Sequence, residues 1–163
     1  EFGKGVHWNT HGPWKLPGTM AEWKDYWTKD DSLFRAESGA PGCAPAKVIR
    51  EFLGPFSPMP INASNPAWRR PLTWWLEDGA FAQEFGRAPN SLEEYVDWSQ
   101  KRQAEALSIA VGACKARFPR CGGILLWCGH EAFPCPTNTS ILDYHGDPKP
   151  AAKALEKIWK EGK

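Results

Sequence analysis

A glutamate that directly follows an apolar stretch is the first residue of this chain whose position suggests chemistry. In the segment FRAESGAPG, Glu37 ends a short run of strand-forming residues, and glycine and proline follow at once. Such chain breakers predict that the strand stops at Glu37. A carboxylate at that end of a buried strand is either a solvated turn residue or an acid held at the mouth of the strand to do chemistry.

A second group of chemically capable side chains surrounds another apolar run, GGILLWC at residues 122–128. Trp127 lies near the end of that run, and the loop after it carries His130 and Glu131. The N-terminal segment GVHWNTHGPW, which its glycine and proline predict to be a structured loop, adds His7, Trp8 and His11. An indole in an open cleft can stack on the apolar face of a sugar. An isolated pair of histidines more often forms hydrogen bonds along the side of a site than transfers protons.

The composition favours a carbohydrate partner over a nucleic acid or a membrane. The 163 residues include ten tryptophans, an excess for this length, and 42% of the residues are apolar, which is enough for one domain with a core. The 20 basic and 19 acidic residues nearly cancel, so no field of one sign exists to hold a nucleic acid or an anionic membrane. We therefore expect a carbohydrate ligand and neither of the other two partners.

No cofactor or metal is expected from the motifs. The chain has five cysteines, an odd count, and no CxxC pair or neighbouring histidine set completes a zinc site. Two acceptor motifs for N-glycosylation, at residues 62–64 and 138–140, leave the compartment open, with an extracytoplasmic location slightly favoured. The N-terminus EFGKGVHWNT has no initiator methionine and no capped first element, which suggests a fragment.

Helices and strands alternate along the chain. The predicted order is a loop at residues 1–18, a helix at 19–29 capped by Thr19 and Glu22, a strand at 32–37, a helix at 91–118 capped by Ser91 and Glu94, a strand at 122–128 and a final helix at 150–161. The proline-rich region 54–90 stays unassigned. The alternation predicts an α/β fold with a parallel sheet. Two strands are too few for an open doubly wound fold, and they suit the C-terminal portion of a (β/α)8 TIM barrel.

These segments resemble glycoside hydrolase family two, the retaining exo-glycosidases that include β-galactosidases, β-glucuronidases, β-mannosidases and exo-β-glucosaminidases. SLFRAESGAPG resembles the family's seventh-strand motif, and the segment from GGILLWC to DPKPA resembles its eighth-strand region. GVHWNTHGPW is similar to the loop after the sixth strand, and SLEEYVDWSQKRQAEAL to the helix between the last two strands. The chain departs from the common pattern at His130-Glu131, where many members carry Asn-Asp, and after the nucleophile at residues 38–41.

The resemblance implies a role for each candidate residue. Glu37 is expected to be the nucleophile and to need basic or hydrogen-bonding neighbours, with Arg35, His7 or His11 as possible suppliers. Trp127 is expected to be the stacking platform for the sugar, with a core position as its alternative. Substrate-binding roles are expected for the loop residues His7, Trp8, His11, His130 and Glu131. The Asn-Glu pair that carries the family's acid/base is not in this sequence, so the isolated chain is expected to be inactive.

Two other functions stay open at this point. A non-catalytic carbohydrate-binding module would use Trp8, Trp14 and Trp127 as its platform, although its usual β-sandwich disagrees with the predicted helices. A structural remnant would keep a barrel-like fold without a ligand. Because an open piece of barrel exposes strand edges, we also expect self-association or association with the rest of the barrel.

Overall fold

The computed structural model describes residues 9–70 and 72–161; the expected sites His7 and Trp8 lie outside these ranges. The elements, in chain order, are β1 (Thr10–His11), α1 (Met20–Lys29), β2 (Arg35–Ser38), β3 (Gly42–Cys43), α2 (Ala46–Glu51), two 3-10 turns (Pro66–Trp68 and Thr73–Trp75), α3 (Asp78–Phe85), α4 (Leu92–Ala116), β4 (Ile124–Leu126), β5 (Thr137–Asn138) and α5 (Pro150–Lys160). The helices and strands predicted from periodicity are thus present, with ends shifted by a few residues.

A three-stranded parallel sheet in the order β1-β2-β4 places β2 at its centre. The predicted α/β class with parallel strands is therefore confirmed. Within the segment predicted to be a structured loop, Thr10–His11 pairs with β2 as an edge strand. A two-residue strand followed by a cis Gly12–Pro13 bond is too short to show a periodic pattern.

The register of β2 against its neighbours is irregular. Arg35 pairs with Ile124 and Ser38 with Leu126, so four residues of β2 span the length of three in β4. A similar shift separates the pairs Thr10–Arg35 and His11–Glu37 on the other side. Such a bulge changes the direction of the side chains that follow it. The shift lies between Arg35 and Glu37 on the β1 side and between Arg35 and Ser38 on the β4 side.

A second, antiparallel pair joins β3 to β5, with Gly42 opposite Asn138 and Cys43 opposite Thr137. This pair holds residues 137–140 against the end of β2. Gly39 permits the close approach, because a Cβ atom added there would lie 3.0 Å from the side chain of Thr139. The loop after β4 is consequently fixed beside the central strand.

Two apolar clusters stabilise the sheet and the helices. One joins α1, α4 and α5 around the buried side chains of Trp23, Trp27, Leu107, Val111 and Leu155. The other joins α2, α3 and the start of α4 around Val48, Trp68, Phe81, Tyr95 and Trp98. Several of the tryptophans are therefore core residues. No helix within the described ranges has the length and apolarity to cross a membrane.

The N-terminus of α1 carries the predicted capping box. Thr19 Oγ1 accepts a hydrogen bond from the Glu22 N–H at 3.2 Å, and the Glu22 carboxylate accepts one from the Thr19 N–H at 2.6 Å. At α4 the predicted box is only half present. Ser91 Oγ accepts from the Glu94 N–H, but the Glu94 carboxylate accepts instead from the N–H of Asn90 and from Arg87.

We expect the substitution Thr19→Ala to lower the free energy of unfolding by about 1 kcal/mol, because one N-terminal N–H of α1 loses its side-chain acceptor. Urea unfolding followed by tryptophan fluorescence measures this change. Thr28→Ala is the matched control, since Thr28 is exposed on the same helix and only bonds back to the Lys24 carbonyl. An equal loss in both variants would show that the cap is not responsible.

Candidate active site

Glu37 lies in the central strand with its side chain half-buried. Its backbone is fixed by the Gly12 N–H, which donates to the Glu37 carbonyl at 2.7 Å. Its side chain accepts a hydrogen bond at Oε1 from the indole Nε1–H of Trp14, also at 2.7 Å. This hydrogen bond fixes the orientation of the carboxylate group.

Arg35, one of the possible neighbours expected for Glu37, binds other groups instead. Arg35 is fully buried, and its guanidinium binds the Asp30 carboxylate at 2.5 Å, the Gly12 carbonyl at 2.5 Å and the Tyr26 hydroxyl at 2.7 Å. Regular alternation would place residues 35 and 37 on one face of the strand, and the bulge in β2 gives them different surroundings. Arg35 therefore contacts α1, and Trp14 takes the place next to Glu37.

Four indoles form a continuous aromatic wall that starts at Glu37; we define the wall as Trp14, Trp127, Trp75 and Trp74. The ring centroids of Trp14 and Trp127 are 6.3 Å apart, those of Trp127 and Trp75 are 5.2 Å apart, and those of Trp75 and Trp74 are 4.3 Å apart. All three contacts are edge-on or tilted, as aromatic pairs prefer. Trp127 and Trp74 keep 37% and 49% of their surface exposed, whereas Trp75 is buried.

The backbone of Trp127 is fixed from both sides. Its N–H donates to the Ser38 carbonyl at 2.8 Å, and its carbonyl accepts from Thr139 Oγ1 at 2.8 Å. The first bond places Trp127 immediately beside the residue that follows Glu37. The structure therefore brings the two strand ends together, with Trp14 between the carboxylate and the exposed indole.

Lys15 ties the N-terminal loop to the segment that carries Trp74 and Trp75. Its ammonium group donates to the Trp74 carbonyl at 2.7 Å and to the Leu76 carbonyl at 3.1 Å, and it lies 5.8 Å from the centroid of the Trp74 ring. Lys15 directly follows Trp14. One short loop consequently positions both the hydrogen-bond donor of Glu37 and the outer end of the aromatic wall.

Glu131 lies in surroundings that differ from those of an exposed loop residue. It is 1% exposed, its Oε1 accepts from Ser140 Oγ at 3.1 Å, and the ammonium group of Lys149 lies 3.6 Å away. Burial raises the pKa of Glu131 above its ordinary value, while the charge of Lys149 opposes this rise. These contacts favour a structural role for Glu131 within the loop between β4 and α5.

The two expected histidines within the described ranges are both exposed. His11 is the β1 residue whose backbone pairs with Glu37, and His130 forms a backbone bridge to Leu142.

No group of three or more histidine, cysteine, aspartate or glutamate side chains suited to a metal occurs within residues 9–70 and 72–161. All five cysteines are free, and four of them are buried.

Trp75 and Lys15 were not among the site residues expected from the sequence, and Trp14 was expected only in the platform of the alternative carbohydrate-binding module. Trp14 shares the segment GVHWNTHGPW with the expected loop residues, so its type and position were the available signal. Trp75 and the carbonyls that bind Lys15 lie in the unassigned proline-rich region. The sequence carries no periodic pattern there that would place them near β2.

The chain can be compared with known proteins through its structure. No protein-family model and no curated protein matches it. A β-D-mannosidase from Dictyoglomus thermophilum matches with a TM-score of 0.69 and 21% identity over 89% of this chain. The chain shares its fold with part of that enzyme. It spans 18% of the length of the mannosidase chain, and at this level of identity the match concerns the fold.

Proposed function

We propose that this chain is part of a (β/α)8 barrel of a retaining exo-β-glycosidase, in which Glu37 is the nucleophile and the acid/base carboxylate lies outside the chain. The observation that carries the proposal is the position of Glu37. It lies near the end of the central parallel strand and accepts a hydrogen bond from the indole N–H of Trp14, whose ring contacts the exposed ring of Trp127. Catalytic residues of barrel enzymes come from this end of their strands.

Each contact of Glu37 has a use in retaining hydrolysis. Trp14 occupies Oε1, so Oε2 is the oxygen available to attack the anomeric carbon of the sugar. Attack forms an ester between Glu37 and the sugar and breaks the bond to the leaving oxygen, which takes a proton from a second carboxylic acid. Water, deprotonated by that second carboxylate, then cleaves the ester. The two carboxyl groups of such enzymes are about 5–5.5 Å apart.

We propose terminal β-mannosides as the first substrates to examine, since the similar structure is that of a β-D-mannosidase. The sugar would lie with its apolar face on Trp127, where an indole excludes water on one side and contributes stacking. His11 and His130, both exposed near the ends of β1 and β4, are proposed to hydrogen-bond to its hydroxyls.

A mechanism-based label tests the role of Glu37 without the missing acid. A 2,4-dinitrophenyl 2-deoxy-2-fluoro-β-mannoside has a leaving group that departs as an anion, so it needs no proton from the protein. We expect intact-mass spectrometry to show one added deoxyfluoromannosyl group per chain, with release of one dinitrophenolate. Peptide mapping should then place the label on Glu37. The ester should persist, because the carboxylate proposed to activate water for its cleavage lies outside the chain.

The variant Glu37→Gln should take up no label, and Glu105→Gln, which changes an exposed carboxylate of α4, should label as the parent chain does. Labelling elsewhere, or at equal extent in the Glu37→Gln variant, would contradict the nucleophile assignment. If this mannoside and the corresponding galactoside and glucoside all leave Glu37 unmodified, while methyl β-glycosides bind, a non-catalytic carbohydrate-binding role replaces the enzymatic one.

A further inference from the structure

Trp74 extends the aromatic wall beyond the indole assigned to the sugar that is cleaved. Its ring is 49% exposed, and it is separated from Trp127 only by the buried ring of Trp75. Trp14, which donates its hydrogen bond to Glu37, forms the opposite end of the wall. The wall therefore carries a second exposed indole, which is farther from Glu37 along the series of ring contacts than Trp127 is.

We propose that Trp74 is a binding platform for the sugar unit next to the one cleaved, so that the site takes β-linked oligosaccharides and not only simple glycosides. This inference rests on the proposed function. Two exposed indoles on either side of one buried indole present a pair of apolar surfaces, as two linked sugar rings require. Trp75 supports both rings and contacts the ligand itself little, since it is 4% exposed.

The segment around Trp74 is fixed before any ligand arrives. Trp74 lies in the middle of the 3-10 turn Thr73–Trp75, and the Leu76 N–H donates to the Thr73 carbonyl to close that turn. Lys15 holds the carbonyls of Trp74 and Leu76, and Thr137 Oγ1 donates to the Trp75 carbonyl at 3.3 Å. A side chain held in its bound position loses little entropy on binding.

The contacts of Lys15 connect this platform to the nucleophile. Its ammonium group lies between the turn and the loop that carries Trp14, and both of its carbonyl bonds go to the turn. Lys15 is thus a positioning residue for Trp74, because it holds the turn against the loop through backbone atoms. Removing the ammonium group should therefore weaken the binding of ligands that reach Trp74 more than the binding of shorter ones.

Calorimetric titration with ligands of two lengths tests the proposal. The probes are methyl β-mannoside, β-1,4-mannobiose, and the matching glucose pair of methyl β-glucoside and cellobiose. For the sugar that binds, we expect the disaccharide to bind the parent chain about tenfold more tightly than the methyl glycoside. The variant Trp74→Ala should lose this advantage and keep its affinity for the methyl glycoside. Lys15→Met should lose part of the advantage, and Trp74→Phe should retain part of it.

Trp159→Ala is the matched control, because Trp159 is a 55% exposed indole on α5; it should bind both ligands as the parent chain does. The Trp74 proposal is overturned if the disaccharide binds no more tightly than the methyl glycoside, or if Trp74→Ala weakens both ligands equally. Methyl glycoside binding and labelling of Glu37 would persist in that case, and the proposed function would stand. Absence of all binding together with absence of the label would overturn both.

Discussion

Replacement of Asp30 by asparagine is expected to lower the free energy of unfolding by about 3–5 kcal/mol, the usual loss when one partner of a buried ion pair is removed. Asp30 directly follows α1, and its side chain is fully buried. Its Oδ1 binds Arg35 at 2.5 Å, and its Oδ2 binds Arg117 from the end of α4. Without the carboxylate, the buried guanidinium of Arg35 loses its counter-charge. Urea unfolding at neutral pH measures the loss.

Asp25→Asn provides the control for that experiment, since Asp25 forms an exposed pair with Lys29 in α1. Exposed pairs of this kind contribute little, so its unfolding curve should nearly coincide with that of the parent chain. Comparable losses in the two variants would show that the buried network adds nothing specific.

The pH dependence of stability provides a second observation on the same carboxylate. Burial alone would raise the pKa of Asp30, but the hydrogen bonds and charges of Arg35, Ser32 and Arg117 outweigh it and lower that pKa below the ordinary value of 3.8. The folded state therefore binds fewer protons at this site than the unfolded state. The ionised Asp30 therefore stabilises the folded state fully at pH values above its ordinary pKa, and this stabilisation is lost as the pH falls through the lowered pKa of the folded state. The parent chain should show this acid-dependent loss, and Asp30→Asn should lack it.

Lys149→Met is expected to cause a loss of similar size, about 3–5 kcal/mol. The Lys149 side chain is fully buried at the start of α5, where its ammonium group donates to the Gly42 carbonyl at 3.1 Å and lies 3.6 Å from Glu131. The variant leaves the Glu131 carboxylate buried without a counter-charge. Denaturant unfolding of the single variant and of the double variant Glu131→Gln/Lys149→Met separates the charge effect from packing. The double variant should recover most of the loss.

Lys153→Met, an exposed change on the same helix, should leave the free energy of unfolding nearly unchanged.

The loss of unfolding free energy caused by Lys149→Met should also become smaller as the pH falls. Burial raises the pKa of Glu131, and removal of Lys149 takes away the charge that opposes this rise. The folded variant thus takes up a proton at a higher pH than its unfolded chain does, which favours the folded state in mild acid. A deficit that stays constant or grows with acidification would contradict this account.

The elements that sequence patterns could predict are those with long local signals. The capping residues of α1, the apolar stripe of α4 and the uninterrupted apolar run before Trp127 each determine their own structure. The strands that were missed, β1, β3 and β5, are two residues long, and α3 and the two 3-10 turns lie in the proline-rich region left unassigned. Strands of that length form only because tertiary contacts bring their partners together, so no local sequence pattern predicts them.

The residues of the candidate site also include some that the sequence could predict and some that it could not. Glu37 and Trp127 could be proposed as neighbours because both end predicted parallel strands, whose carboxyl ends meet at one edge of a sheet. Trp14 and Lys15 act through contacts with residues far along the chain. Arg35, one of the possible neighbours named for Glu37, instead binds Asp30 and the Gly12 carbonyl. The irregular register of β2 separates the surroundings of two residues that simple alternation would place together.

That irregularity makes the residue count of the central strand as important as its composition. Inserting one residue between positions 35 and 37 would shift the residues that follow it by one position relative to β1 and β4. The Glu37 carboxylate would then lose its place beside the Trp14 indole. Homologous chains could therefore vary in length within the outer connections far more freely than within this four-residue segment.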